Sequence, residues 1–202
     1  MRIVTCRCER TFDAELPDEI DLDSDPSVLD EILEGNFLTV TCPHCGHRLK
    51  PDIPVSIRSR RRGLDIKVLP EGERSALLDG RTTETAGVEF LVGYPELYER
   101  ALVIREGLDP GAVEVLKYYI LAKALESAGA SSDPIVSFRG RTADNKLSFG
   151  IAGLRDEEVA ILALPYDHYE KACKNLASLA MTEPFSTFLS GPYRSVRALE
   201  AR

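Results

Sequence analysis

The sequence predicts an α+β fold in two domains, residues 1–80 and residues 87–202. Three observations predict it. Four of the five cysteines fall in two close pairs, Cys6/Cys8 and Cys42/Cys45, each directly after a short β-like run. Residues 110–127 read as a helix that is apolar on most of its circumference, which makes it central or the contact for a partner. Three strand-like runs follow at 135–139, 146–152 and 159–164, with turns short enough for an antiparallel meander.

Composition narrows the function classes. An apolar fraction of 44% over 202 residues is enough to bury a core. The net charge of −8 argues against general affinity for nucleic acid, whose binding leans on phosphate neutralisation. No run of about 18 apolar residues is present, so no transmembrane helix is expected. The N-terminus lacks the apolar stretch of a signal peptide, and the expectation is a cytoplasmic protein with no membrane contact. Five cysteines arranged as two pairs and a singleton make a poor disulfide framework. In a reducing compartment such pairs more often bind metal.

Taken in order, residues 2–5 lead into Cys6 as a short strand. Residues 11–34 carry ten acids and no Lys or Arg. Within them, 25–35 reads as a helix with Asp25 as N-cap, Pro26 at the first helical position and Gly35 as terminator. Val28, Leu29, Ile32 and Leu33 form its apolar face. Residues 37–41 read as a strand running into Cys42. The charge then reverses: Arg48, Lys50, Arg58, Arg60, Arg61 and Arg62 face a single acid, Asp52, across residues 46–62. Residues 53–57 and 64–69 are strands, the second alternating at period two and closed by Pro70. The polar, small residues of 71–86 hold the expected boundary. A strand at 88–92 opens the second half. Pro95 starts a helix to about residue 104, and Asp109-Pro110 starts the long one, which ends at Gly129. A last helix runs from Pro165 to about residue 180. Residues 184–202 read as an extended piece and a short terminal helix.

Cys42-Pro43-His44-Cys45-Gly46 is a metal knuckle, a tight turn that aims two thiolates and several backbone N–H groups at one point. The proline presets the turn and the glycine allows the chain to leave with positive φ. A closed structural zinc needs four ligands, and the nearest candidates for the other two are Cys6 and Cys8. This pattern resembles the bacterial CpXC-domain proteins, named for their Cys-Pro-x-Cys knuckles. The likeness extends to the 25–35 helix, to Leu64-Asp65-Ile66-Lys67-Val68-Leu69-Pro70-Glu71-Gly72, to Glu96-Leu97-Tyr98-Glu99-Arg100 and to 107–114. It implies a zinc-ribbon-like N-terminal part with four cysteine ligands, and it implies no particular reaction. The family's first knuckle is also Cys-Pro-x-Cys. Here it is Cys6-Arg7-Cys8, one residue short, so the usual turn cannot form unchanged.

The metal site expected is therefore Zn2+ held by Cys6, Cys8, Cys42 and Cys45. His44 and His47 are the substitutes if one thiol does not ligate. The competing expectation is a ribbon that has lost its metal and keeps four buried thiols. Cys173 lies in a helical stripe with Tyr169, Ala172 and Leu176 and reads as a core thiol; His168 lies about 140° round that helix and cannot pair with it. Asp21-Leu22-Asp23-Ser24-Asp25 begins like a calcium loop, but Pro26 stands where the loop needs glycine and Ile32 where it needs glutamate. Arg58, Arg60, Arg61 and Arg62 form the single basic cluster. They are candidates for phosphate or nucleic-acid contact, set against a solvated turn or a partner for the acidic 11–34 stretch. Nucleophile elbows, phosphate loops, dinucleotide fingerprints and zinc-protease motifs are all missing, and three histidines leave little for acid–base chemistry. The leading expectation is a non-enzymatic, zinc-stabilised scaffold whose partner is another protein. The alternatives are a nucleic-acid-associated ribbon and an enzyme in the C-terminal domain.

Overall fold

A computed structural model describes residues 1–83, 86–127, 133–155 and 158–201. It contains eleven strands and six α-helices among the described residues. In chain order these are β1 (Arg2–Thr5), β2 (Thr11–Ala14), β3 (Glu19–Asp21), α1 (Val28–Glu34), β4 (Val40–Thr41), β5 (Arg48–Leu49), β6 (Val55–Ser59), β7 (Leu64–Leu69), α2 (Arg74–Leu78) and β8 (Glu89–Val92). Then follow α3 (Gly93–Arg105), α4 (Pro110–Ser127), β9 (Ile135–Arg141), β10 (Lys146–Ala152), β11 (Val159–Pro165), α5 (Tyr166–Leu179) and α6 (Phe185–Leu189). The fold is mixed α+β, and the chain divides into two compact units, Met1–Tyr98 and Glu99–Arg202, with α3 running across the division. No helix among the described residues is long and apolar enough to cross a membrane.

The first unit has two small hairpins and one larger sheet. β1 and β2 pair antiparallel, and so do β4 and β5. The sheet has the order β3-β6-β7-β8, with β3–β6 and β7–β8 parallel and β6–β7 antiparallel. Val4, Ala14 and Leu16 are the buried centre of the hairpin region, covered by Phe12, Leu38, Val40, Leu49 and Ile53. This core is small.

Several sequence expectations shift in this unit. The first helix begins at Val28 instead of Pro26. Asp25 does not cap it; its carboxylate accepts the Ser27 hydroxyl at 2.5 Å, while Asp21 holds the approach by accepting the Asp23 N–H at 2.9 Å. Gly35 ends the helix as expected, left-handed at φ 78°. The strand expected over 37–41 shrinks to Val40–Thr41, because Leu38 adopts φ 56° and turns the chain. β2 and β3 were not anticipated in the acidic stretch. The strand expected to open the second half is β8, which lies beside β7 with Leu69 opposite Val92. Parallel neighbours need a crossover. That crossover includes α2, which falls within the polar stretch where the boundary was expected. Buried Arg74 fixes that crossover, donating to Glu71 at 2.8 Å and to Glu96 at 2.7 Å, while Glu96 accepts the Val92 N–H at 2.8 Å.

The second unit packs α4 against α5 and β9, and the antiparallel meander has the order β11-β10-β9. Asp109 caps α4 as its Asp-Pro signal predicts, accepting the Ala112 N–H at 3.0 Å. Phe138 of β9 and Phe149 of β10 meet in the core with centroids 5.5 Å apart. Residues 111–117 of α4 are all buried, in line with its broad apolar surface, although Tyr119 and Leu125 are exposed. Two of the buried residues are charged. Lys117 donates to Glu99 at 2.7 Å and to Glu114 at 2.8 Å, and Glu114 also accepts the Val196 N–H at 2.6 Å. Phe185 and Phe188 of α6 cluster with Tyr118, which is how the C-terminal stretch is held. The expected helix end at Gly129 lies outside the described residues, as does residue 156 in the turn read from Leu154-Arg155-Asp156 between the second and third strands of the meander.

Candidate metal centre

Each cysteine pair sits at the tip of a hairpin. β1 delivers Cys6 and β4 delivers Cys42, and the paired strands carry the chain away. In the second turn the Cys42 carbonyl accepts the Gly46 N–H and the Cys42 N–H donates to the His47 carbonyl, both at 2.9 Å. In the first turn the Cys6 carbonyl accepts the Glu9 N–H and the Cys6 N–H donates to the Arg10 carbonyl, again at 2.9 Å. The two turns share one hydrogen-bond plan, with the first one residue tighter. The left-handed residue is Gly46 at φ 71° in one and Glu9 at φ 65° in the other. The shortened turn therefore still points both thiols inward.

The four Sγ atoms lie within 4.8 Å of one another. Cys6 and Cys45 are 3.6 Å apart across the hairpins, and Cys8 and Cys42 are 3.8 Å apart. These distances are far beyond a disulfide bond of about 2.05 Å. They match the edge of a tetrahedron with metal–sulfur bonds of about 2.3 Å, which is about 3.8 Å. Cys6 and Cys42 are buried, and Cys8 and Cys45 are exposed. The thiols also suit a cation electrostatically. Burial raises the Cys42 thiol, but the N–H groups of His44 and Cys45 and the thiols of Cys6 and Cys45 outweigh it and bring it down to about 7. At Cys45 the His47 N–H favours ionisation, yet the Cys6 thiol, burial, Cys8 and Cys42 together push it up to about 12. Four thiols this close cannot all ionise unaided; a bound cation removes that conflict.

The other sequence candidates fall elsewhere. His44 and His47 are exposed and outside the cluster, with His44 Nδ1 3.4 Å from Arg10 Nη1. Cys173 is half-buried on α5, beside Tyr169, and is not part of the cluster. The Asp21–Asp25 segment is a turn built on Asp21, whose carboxylate accepts Asp23 N–H and Ser24 Oγ–H. Arg58 lies on β6 within 3.6 Å of Glu19 and 3.3 Å of Asp65. Arg60, Arg61 and Arg62 are exposed in the β6–β7 turn. That turn is tied to the acidic stretch: Asp23 accepts the buried Ser59 hydroxyl at 2.6 Å and the Arg61 N–H at 3.0 Å. The Ser59 hydrogen bond, then the Arg61 N–H, hold the Asp23 carboxyl below its ordinary range. The buried ion networks around Arg74 and Lys117 escaped the sequence reading, since nothing in local spacing marks a charge as buried.

A two-part α+β chain with four converging cysteines defines a class of cysteine-cluster proteins. The family model described as CpXC protein matches residues 4–117, which takes in both hairpins, the first sheet and the start of α4. The chain belongs to the CpXC family. It is also similar to an uncharacterized protein of Treponema pallidum (strain Nichols), 28% identical over 218 residues that cover 98% of this chain and 97% of the relative. No solved structure matches.

Proposed function

We propose that the protein is a zinc-stabilised, non-enzymatic binding module: a tetracysteine zinc ribbon in the first unit, and a strand edge in the second that docks another protein. The zinc reading is carried by the 3.6 and 3.8 Å thiol separations, which fit a tetrahedral tetrathiolate. Thiolate donors in that geometry suit zinc. Bound there, zinc supplies charge compensation and a crosslink between hairpins, and four thiolates leave no position for substrate or an activated water. A reducing compartment such as the cytoplasm keeps the thiols available. The test is metal analysis of protein purified without added metal, repeated with each cysteine changed singly to serine. One zinc per chain is expected, with loss of metal in every variant. A different metal, or full zinc content after any of the four changes, overturns the assignment.

The docking reading is supported by β11. Its seven residues carry no charge, and Val159, Ile161 and Leu162 are 47%, 65% and 36% exposed on the edge of the meander. Natural edge strands are normally guarded by charge or proline along their length. β11 has its one proline, Pro165, at its last residue, so the edge is open along residues 159–164 and suits a protein partner that adds an apolar strand by main-chain pairing. Chemical crosslinks from the intact protein to its partner are expected to map to β11 and to vanish in Ile161→Lys. Crosslinks elsewhere, or insensitivity to the substitution, refute this, and crosslinks between two copies identify self-association instead.

Exposed Arg60, Arg61 and Arg62 support a second reading, contact with nucleic acid. Its test is the salt dependence of binding to single- and double-stranded oligonucleotides, with slopes that fall when the arginines become alanine. No slope above background removes it.

A further inference from the structure

A second feature of the first unit lies apart from the cysteines. A cavity of about 420 Å³ is walled by residues from β6, β7, the residues after β5 and the start of α3. Leu38, Ile53, Val55, Val68 and Leu97 make its surface largely hydrocarbon. Val55 and Val68 stand opposite each other across the β6–β7 pair, so the sheet supplies a fixed floor. At about 420 Å³ it falls within the roughly 300–1,000 Å³ of small-molecule pockets.

One lining group is chemically out of balance. Lys50 follows β5 and is half-buried, with Nζ 3.3 Å from the centroid of the Tyr94 ring. Tyr94 is itself fixed, its hydroxyl donating to the Ile32 carbonyl, and burial pushes its phenol up to about 12, so the ring stays neutral. Among the described residues no carboxylate pairs with the Lys50 ammonium. The two acids in the lining are already engaged: Asp52 accepts the Glu71 N–H at 2.9 Å, and Glu71 accepts Arg74 at 2.8 Å. Burial pulls the Lys50 pKa below the ordinary lysine value. A partly desolvated cation on an aromatic face, with hydrocarbon around it, gains from an anion that brings its own apolar body.

We propose that this cavity binds a small monocarboxylic acid with an apolar body, its carboxylate on Lys50 and its hydrocarbon part against Leu38, Ile53, Val68 and Leu97. Asp52 and Glu71 at the same lining disfavour a second negative charge, so dicarboxylates and inorganic phosphate bind more weakly.

The test titrates the full-length protein with octanoate and with phenylbutyrate, followed by amide NMR shifts. The primary amides of both acids, suberate and inorganic phosphate serve as comparisons. Saturable shifts centred on Lys50, Tyr94 and the β6–β7 floor are expected for the two acids. Affinity is expected to fall about tenfold or more for the amides, a difference of about 1.4 kcal/mol. Lys50→Met keeps the aliphatic length and drops the charge, and it should bind acid and amide alike; Lys50→Arg should restore the preference for acid. The idea fails if neither acid saturates, if wild-type protein binds amide as well as acid, or if the shifts map outside the cavity. The acid–amide comparison uses wild-type protein and does not depend on how well the variants fold.

Discussion

Glu9 and Gly46 hold equivalent places in two turns that differ by one residue, and only one of them suits its conformation. A non-glycine residue in the left-handed region costs roughly 1–2 kcal/mol. Glu9 carries that strain at φ 65°. Glu9→Gly is therefore expected to raise the melting temperature of the metal-loaded protein, by a net stabilisation of about 0.5–1 kcal/mol after the greater freedom of the unfolded glycine is counted. Glu9→Val, β-branched, should lower it by a similar amount or more. A melting temperature unchanged by both substitutions would contradict the reading of this turn. All four cysteines could be named from the sequence because close cysteine pairs are rare and their spacing is chemically meaningful. Glu9 could not, because glutamate has no preference for positive φ, and its conformation is imposed by the turn that Cys6 and Arg10 close.

Elements were legible where the signal was local. The Asp109-Pro110 start of α4 and the Gly35 stop of α1 rest on one or two residues with strong conformational preferences. β2, β3 and the sheet membership of β8 were not legible, since pairing partners distant in sequence decide them. Replacing the Asp109 cap by alanine removes the acceptor for the Ala112 N–H and is expected to destabilise the fold by about 0.5–2 kcal/mol in chemical denaturation. β11 makes a different prediction. Ile161→Lys adds a charge at a residue 65% exposed and should leave unfolding free energy within about 0.5 kcal/mol. It should also weaken the crosslinks to the partner protein expected at β11, because edge charge blocks strand addition.

At the level of the whole molecule, two units with different supports should respond to different stresses. Chelation is expected to loosen the hairpin region of the first unit, whose core is only Val4, Ala14 and Leu16, and to spare β9–β11, as read by hydrogen exchange. The second unit should respond to alkali. Burial alone would lower the Lys117 pKa, but the Glu114 and Glu99 carboxylates outweigh it and hold the ammonium above the ordinary lysine range. A folded pKa above the unfolded one gives stability that is complete below about 10.4 and lost as pH rises through the folded value. Unfolding measured across that window should show falling stability, and Lys117→Met should make the slope shallower while costing about 3–5 kcal/mol at neutral pH, since it strands two buried carboxylates.

The two thiol contacts that cross between the hairpins have a consequence for oxidation. Each joins a buried sulfur of one hairpin to an exposed sulfur of the other, Cys6 with Cys45 and Cys8 with Cys42. An oxidant arriving from solvent meets Cys8 or Cys45 first, and for each a resolving thiol stands within 3.8 Å across the hairpins. Peptide mapping of oxidised, metal-free protein is expected to find Cys6–Cys45 and Cys8–Cys42 disulfides ahead of Cys6–Cys8 or Cys42–Cys45. The four converging sulfurs would then fasten the hairpins tip to tip by covalent bonds.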